Sequence, residues 1–227
     1  MPRALQARLD DLAVAVIEMA DLVVGRLRSA LRALTEDDSE RARNVRDGDD
    51  AVNERYLAIE RQCIDIIALR QPVAGDLRQV AASFKILTDL ERVGDIAVNL
   101  AEYALAADRE LLPEVDVTGI ANVAIEMLES AMRAYREGCL ERRDRTDGSA
   151  SEGSRWQCHE VADRDTDLDA LCTHAGTVIV RSLVEATDDD VDDLLEGVQV
   201  LMLTVRDLER VGDHATRSRS RTVSMST

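Results

Sequence analysis

Proline and aromatic residues are scarce in this chain. Of its 227 residues only three are proline, at Pro2, Pro72 and Pro113, and Phe, Trp and Tyr together make up 2%. The remaining composition, rich in Ala, Leu, Val, Arg, Asp and Glu, suits long helices that pack through small aliphatic side chains. Uninterrupted apolar runs of 18 residues are also missing, so the sequence predicts no membrane span.

Basic residues are also fewer than acidic ones, 28 against 45. The formal net charge is −17, and Lys85 is the only lysine. Because a chain of this charge repels phosphate groups, it is not expected to bind nucleic acid directly, and cations are favoured as ligands. The acidic, lysine-poor composition also resembles that of proteins from salt-loving organisms.

Paired cysteines and catalytic signatures are missing too. The four cysteines form no C-x-x-C pair and no signal peptide is apparent, so we expect a reduced, cytoplasmic setting. The three histidines form no E-x-x-H pair, which disfavours a ferritin-like di-iron oxidase. There is no Gly-rich phosphate loop and no nucleophile–base pair, and we therefore expect no enzymatic activity.

What is present is a seven-residue motif that occurs twice. The segment DLERVGD occupies residues 89–95 and returns unchanged at residues 207–213, 118 positions later. A copy displaced by about half the chain indicates an internally duplicated protein. Both copies lie in proline-free stretches with apolar periodicity, which predict helices.

The apolar periodicity predicts an all-α fold without a sheet. We expect six long helices, at about 5–34, 40–69, 77–107, 117–140, 154–183 and from 191 to beyond 213. The last three repeat the plan of the first three, so the predicted fold is two pseudo-symmetric three-helix bundles, with repeats at 1–112 and 113–216. Residues 217–227 lose the apolar period, and we expect this C-terminal tail to fray.

Each motif sets two carboxylates on one helix face. Glu91 and Asp95 are four residues apart, as are Glu209 and Asp213. A solvated polar face is the ordinary interpretation of such a pattern. Two observations favour a bound cation instead: the charged residues recur unchanged, and like charges at this spacing repel each other and weaken the helix.

The glycine between the two carboxylates, Gly94 or Gly212, has two explanations. A glycine inside a helix costs about 1 kcal/mol relative to alanine, so its presence needs a reason. Either a neighbouring helix approaches closely at that point, or the space admits a ligand between the carboxylates. The sequence leaves both open.

The second helix of each half carries a matching pair of oxygen donors. Asp49 and Asn53 are four residues apart, as are Asp165 and Asp169, at an offset of 116. Across a short turn these pairs can approach the motif carboxylates, and Asn99 extends the first face by one more turn. An all-oxygen set suits Mg, Mn or iron rather than structural zinc, which prefers Cys and His.

The doubled motif, with Arg70-Gln71-Pro72 ahead of Asp76-Leu77-Arg78, resembles the phosphate-uptake regulator family called PhoU over residues 5–216. The resemblance implies a cytoplasmic accessory protein that restrains phosphate uptake and phosphate-starvation signalling. Its implied partners are the ATPase subunit of the phosphate ABC transporter, a sensor kinase in bacteria, and a second copy of the chain. It also implies metal ions, including multinuclear iron clusters, bound at two surface sites. Their implied ligands are Asp49, Asn53, Glu91 and Asp95 at the first site, to which the helix face adds Asn99, and Asp165, Asp169, Glu209 and Asp213 at the second.

One position departs from the expected pattern. Arg217 stands where symmetry with Asn99 predicts asparagine, and a cation one turn from Asp213 competes with a metal, so we expect the second site to be the weaker one. The apolar seam of the first helix, together with faces of small residues, predicts a homodimer. Two alternatives stay open: a structural adaptor bundle without functional metal, and a carboxylate–metal enzyme, for which no general base is found.

Overall fold

Seven α-helices make up the described part of the chain. The computed structural model describes residues 2–106, 115–144, 152–185 and 191–225, and no strand occurs among them, so the all-α prediction is confirmed. None of the helices in these ranges has both the length and the apolar character needed to cross a bilayer. The helices are α1 (Pro2–Thr35), α2 (Ser39–Asp47), α3 (Asp50–Arg70), α4 (Ala74–Ala106), α5 (Val117–Asp144), α6 (Glu152–Glu185) and α7 (Val191–Val223).

The predicted second helix is interrupted at Gly48 and Asp49, between α2 and α3. Glycine is a poor helix former, and a charged side chain from α1 holds the break in place. The Arg26 guanidinium donates to the carbonyl oxygens of Val45 and Gly48, the second at 2.7 Å, and lies 3.7 Å from Asp49. A cation is favoured at a helix C-terminus, where carbonyl groups lack intrahelical partners. With α2 and α3 taken as one interrupted helix, each bundle has the predicted three.

The first bundle consists of α1 to α4 and the second of α5 to α7, and they meet where α4 packs on α7 and α1 on α5. The apolar seam of α1 lies inside this core. Its buried members are Leu9, Leu12, Val16, Met19, Val23 and Leu27. This seam is therefore not available to a second copy of the chain, and that argument for a homodimer was wrong.

The C-terminal tail is helical from residue 217 to Val223, so the prediction that it frays was wrong for these residues. α7 continues to Val223, and Ser218, Thr222 and Met225 are buried. The Thr222 hydroxyl donates to the carbonyl oxygen of Ser218 at 3.1 Å, which satisfies its polar atom within the helix. Small hydroxyl side chains of this kind pack against neighbouring helices without an apolar period. The predicted boundary between the repeats, at residues 112 and 113, lies outside the described residues.

Candidate metal sites and the contact between the repeats

The glycine of each motif lies directly against an apolar side chain of a neighbouring helix. A Cβ on Gly94 would lie 3.0 Å from Cγ1 of Val52 in α3, and a Cβ on Gly212 would overlap Cδ2 of Leu168 in α6. Val52 and Leu168 are equivalent residues of the two repeats, 116 positions apart. Close helix approach therefore explains both glycines, because apolar side chains fill the space that the second explanation reserved for a ligand.

Three carboxylates influence one another at the first predicted site. Partial burial, then Asp95, then Asp49 raise the pKa of the Glu91 carboxyl above its ordinary value. Burial and, next, Asp49 likewise raise the pKa of the Asp95 carboxyl. The break between α2 and α3 thus brings Asp49 within electrostatic reach of both motif carboxylates. Carboxylates whose pKa is raised by burial and by neighbouring negative charge favour a cation, which would stabilise their charged forms.

The two asparagines predicted for the first site have different positions. Asn53 lies beside Asp49, and its amide nitrogen donates to the Asp49 carboxylate at 2.9 Å. Asn99 faces the other repeat, because its amide nitrogen donates to Asp207 of α7 at 3.3 Å. Asn53 therefore belongs with the carboxylates, whereas Asn99 takes part in the contact between α4 and α7.

Positive groups of α7 also act on the first site. Arg210 lowers the raised pKa of Asp95, followed by Arg92 of α4, and Arg92 lowers the raised pKa of Glu91, followed by His214. Among the described residues, no three His, Cys, Asp or Glu side chains are close enough to hold one metal ion as they stand. The first site therefore offers oxygen donors and excess negative charge, and side-chain rotation has to bring the donors onto a common ion.

The second predicted site already contains a cation of its own. Arg217 donates from Nε to the carbonyl oxygen of Asp213 at 3.1 Å, and its guanidinium lies 3.3 Å from the Asp213 carboxylate. Asp165 accepts a hydrogen bond from the Thr216 hydroxyl at 3.1 Å. Two of the four predicted ligands are thus engaged with side chains of α7 itself.

The other two predicted ligands of the second site lie near a buried thiol. Burial, followed by the charges of Glu209 and Asp169, raises the pKa of Cys172 to about 12. The first site has Tyr56 at the equivalent position, 116 residues earlier. The two sites therefore differ in their surroundings as well as in the guanidinium of Arg217.

The aspartate that opens each motif was not predicted as a functional residue, yet both are buried between the repeats. Asp89 of α4 lies 3.0 Å from Nδ1 of His214, accepts from the Ser218 hydroxyl at 3.4 Å and pairs with Arg221. All three partners are on α7. A buried carboxylate with several donors and a paired cation is tightly fixed in position.

Asp207 of α7 occupies the equivalent position in the second motif. It accepts from Tyr103 at 3.0 Å and Asn99 at 3.3 Å, both on α4, and from Arg210 at 2.9 Å. The sequence did contain a signal for these aspartates. The same residue opens both copies of the motif. In addition, Asp89 lies three residues after Ile86 of the apolar seam, on the buried side of the helix.

Comparisons of the sequence with a family profile and with curated relatives indicate the same family. The family profile described as PhoU domain matches residues 16–104 and 148–218. A phosphate-specific transport system accessory protein PhoU homolog from Pseudomonas aeruginosa is 31% identical over 212 residues, covering 92% of this chain and 79% of the relative. A homolog of the same description from Aquifex aeolicus is 41% identical over 122 residues, covering 53% of this chain and 55% of that protein.

Solved structures agree with the architecture. The crystal structure of PhoU from Pseudomonas aeruginosa superposes with a TM-score of 0.79 at 28% identity, covering 96% of this chain and 97% of that chain. The phosphate transport system regulatory protein PhoU from Streptococcus pneumoniae gives a TM-score of 0.80, with 98% and 97% covered, and its 22% identity supports the fold alone.

Proposed function

Since the chain belongs to the PhoU family, we propose that it regulates phosphate transport as a metal-binding protein without enzymatic activity. Its relatives are described as accessory proteins of the phosphate-specific transport system. The metal-binding part rests on one observation: Asp49 lies within electrostatic reach of both Glu91 and Asp95, so that three carboxylates are close together.

In this proposal the chain restrains phosphate uptake from the cytoplasm. It contacts the ATPase subunit of the phosphate ABC transporter and passes the phosphate status to a sensor kinase. The relatives are described as accessory proteins, and this description supports a protein that acts on a transporter rather than one that catalyses a reaction. We also propose a homodimer as the working form of the protein.

Asp49, Glu91 and Asp95 would hold the cation at the first site, with the amide oxygen of Asn53 as a further donor. Hard or borderline cations such as Mg, Mn or iron suit this set. A bound cation would supply positive charge that links α3 to α4. The protein's own residues keep Asp49 in reach, because Arg26 fixes the break that carries it.

The second site, with Asp165, Asp169, Glu209 and Asp213, takes metal less well in this proposal. The Arg217 guanidinium lies 3.3 Å from the Asp213 carboxylate, closer than the 3.7 Å between Arg26 and Asp49 at the first site, so an incoming cation has to displace a tighter ion pair. The two sites should therefore differ in affinity although their motifs are identical.

The metal-binding proposal is tested by elemental analysis and thermal melts of protein purified without chelators. We expect bound metal, or a higher melting temperature with Mn²⁺ or Fe²⁺ than with EDTA, because a ligand of the native state stabilises it by mass action. Glu91→Ala with Asp95→Ala should remove most of this shift, whereas Glu209→Ala with Asp213→Ala should remove less. A wild-type chain that carries no metal and shows no shift would contradict the proposal.

The regulatory part is tested separately, by affinity purification from phosphate-replete cells. We expect the ATPase subunit of the phosphate transporter to co-purify with the wild-type chain. Recovery of the ATPase by a protein that binds no metal would leave a regulatory adaptor without a functional cation. Failure to recover the transporter or a sensor kinase, under conditions in which the protein is folded, would contradict the regulatory role.

A further inference from the structure

Helix α3 is apolar on two opposite faces. One face is buried in the first bundle and includes Val52, Ile59, Cys63 and Ile66. On the outer side, Leu57 and Ile64 are seven residues apart, about two helical turns, and are 45% and 53% exposed. Neighbouring exposed apolar side chains that are rimmed by polar residues are typical of interaction surfaces. The outer face of α3 therefore has the character of an interface that the single chain leaves uncovered.

The order of residues on this outer face is complementary to its own reverse. Leu57, Glu60, Arg61 and Ile64 follow one another as apolar, acidic, basic and apolar, and they lie on one side of the helix. If a second copy of α3 lies antiparallel, Leu57 faces Ile64 of the second copy and Glu60 faces its Arg61. Such self-complementarity is what a two-fold interface requires.

We propose that the outer face of α3 is the homodimer interface, with two copies antiparallel about an axis that passes between Glu60 and Arg61. This inference rests on the proposed homodimer and adds its location and orientation. Two equivalent ion pairs flank the axis, and the apolar contacts between Leu57 and Ile64 lie outside them. A parallel arrangement is disfavoured because it sets like charges against each other.

The charges at the centre of this face are available for pairing. Within the described part of the chain, neither Glu60 nor Arg61 forms an ion pair, and Arg61 is exposed. Each chain carries a net charge of −17, so two copies also repel each other at long range. Salt screens that repulsion over about 10 Å at 0.1 M and about 3 Å at 1 M. The dimer should therefore be stronger in molar salt, even though salt also weakens the two ion pairs.

The equivalent face of α6 provides an internal comparison. Its residues, displaced by 116 positions, are Thr173, Gly176, Thr177 and Val180. Val180 is 55% exposed, close to the value for Ile64, but the central acidic and basic residues are replaced by Gly176 and Thr177. The α6 face therefore has exposed apolar surface without charge complementarity, which is why we assign the interface to α3.

Charge exchange tests this interface in the full-length chain. Glu60→Arg places two arginines on each face and Arg61→Glu places two glutamates there, so each variant alone brings like charges together. We expect each to raise the dimer dissociation constant about tenfold or more at 0.15 M salt. A mixture of the two variants should form a heterodimer about as tight as the wild-type dimer, because every contact then joins opposite charges. Sedimentation equilibrium and native mass spectrometry measure both effects.

Apolar substitutions provide the matched control. Ile64→Glu should weaken the dimer strongly, whereas Val180→Glu changes a similarly exposed residue of α6 and should leave it unchanged. A wild-type chain that is monomeric at all concentrations in both 0.15 M and 1 M salt would overturn the homodimer itself. A dimer that tolerates Glu60→Arg, Arg61→Glu and Ile64→Glu would overturn only the assignment to α3. A monomer that binds lipid vesicles in an Ile64-dependent manner would identify the face as a membrane contact instead.

Discussion

Tyr103 and Arg221 are equivalent residues, 118 positions apart, and each reaches across to the buried aspartate of the opposite repeat. Tyr103 of α4 donates to Asp207, and Arg221 of α7 pairs with Asp89. The contact between the repeats therefore has two-fold pseudo-symmetry in its geometry but not in its chemistry. One aspartate is neutralised across the interface by a cation, whereas the other receives neutral hydrogen bonds from α4.

Replacing the buried aspartate of α4 should destabilise the protein strongly. Asp89→Asn removes the charge that pairs with Arg221, and breaking one side of a fully buried ion pair costs about 3–5 kcal/mol. Because the Arg221 side chain is 27% exposed, water screens the charge that remains, and we expect a loss towards the lower end of this range in the free energy of unfolding, measured by urea denaturation. Asp213→Asn is the control, since Asp213 is exposed and surface changes usually stay within about 0.5 kcal/mol. Equal losses for both variants would contradict the assigned role of Asp89.

The two motif glycines should respond differently to alanine. Alanine gains about 1 kcal/mol of helix propensity over glycine, but its Cβ meets Val52 at position 94 and overlaps Leu168 at position 212. We expect Gly94→Ala to be the milder change and Gly212→Ala to lower the melting temperature clearly. Combining Gly212→Ala with Leu168→Ala should cost less than the sum of the two single changes, because the smaller side chain removes the overlap. Strict additivity would show that the two positions are not in contact.

Without metal, the first site should make the protein less stable as the pH rises. The pKa values of Glu91 and Asp95 are raised in the folded state, so the folded chain binds protons more tightly than the unfolded chain there. Their unfavourable contribution is fully present above the raised pKa values and disappears as the pH falls below the ordinary ones. In EDTA, Glu91→Gln with Asp95→Asn should therefore raise the melting temperature at pH 7, and this advantage should shrink towards pH 4. An advantage that does not depend on pH would argue against a charge effect.

Arg217 should lower the metal affinity of the second site. Arg217→Asn removes the guanidinium that pairs with Asp213 and places an amide oxygen donor one turn away. We expect a larger increase in melting temperature with Mn²⁺ and at least a several-fold gain in affinity at this site, measured by titration calorimetry. Arg181→Asn makes the same change of charge on the exposed side of α6 and serves as the control. An equal gain in both variants would mean that only net charge matters.

The overall architecture could be predicted because it depends on periodicity and repetition. Apolar spacing located the helices, and the repeated motif indicated two bundles, which the helix order and the solved relatives confirm. The break at Gly48 was missed because the charged segment around it continues the helical pattern. The helical tail after residue 216 was missed because Ser218 and Thr222 pack through hydroxyl-bearing side chains that carry no apolar signal.

The candidate site could be predicted only in part. Spacing along one helix placed Glu91 beside Asp95, and the repeat suggested Asp49 as their neighbour, in agreement with the pKa effects. The position of Asn99 depends on α7, which belongs to the other half of the chain. The burial of Asp89 and Asp207 likewise depends on how two distant helices pack, and a single helix pattern does not contain that information.

The cross-repeat contacts have a consequence for the history of the duplication. His214 and Arg221 contact the Asp89 carboxylate, but the equivalent residues of the first repeat are Ile96 and Tyr103. Two copies of the first half would thus leave the aspartates without a cation from the opposite helix. The halves have diverged into complementary partners, so the two halves produced as separate polypeptides should recognise each other in preference to themselves.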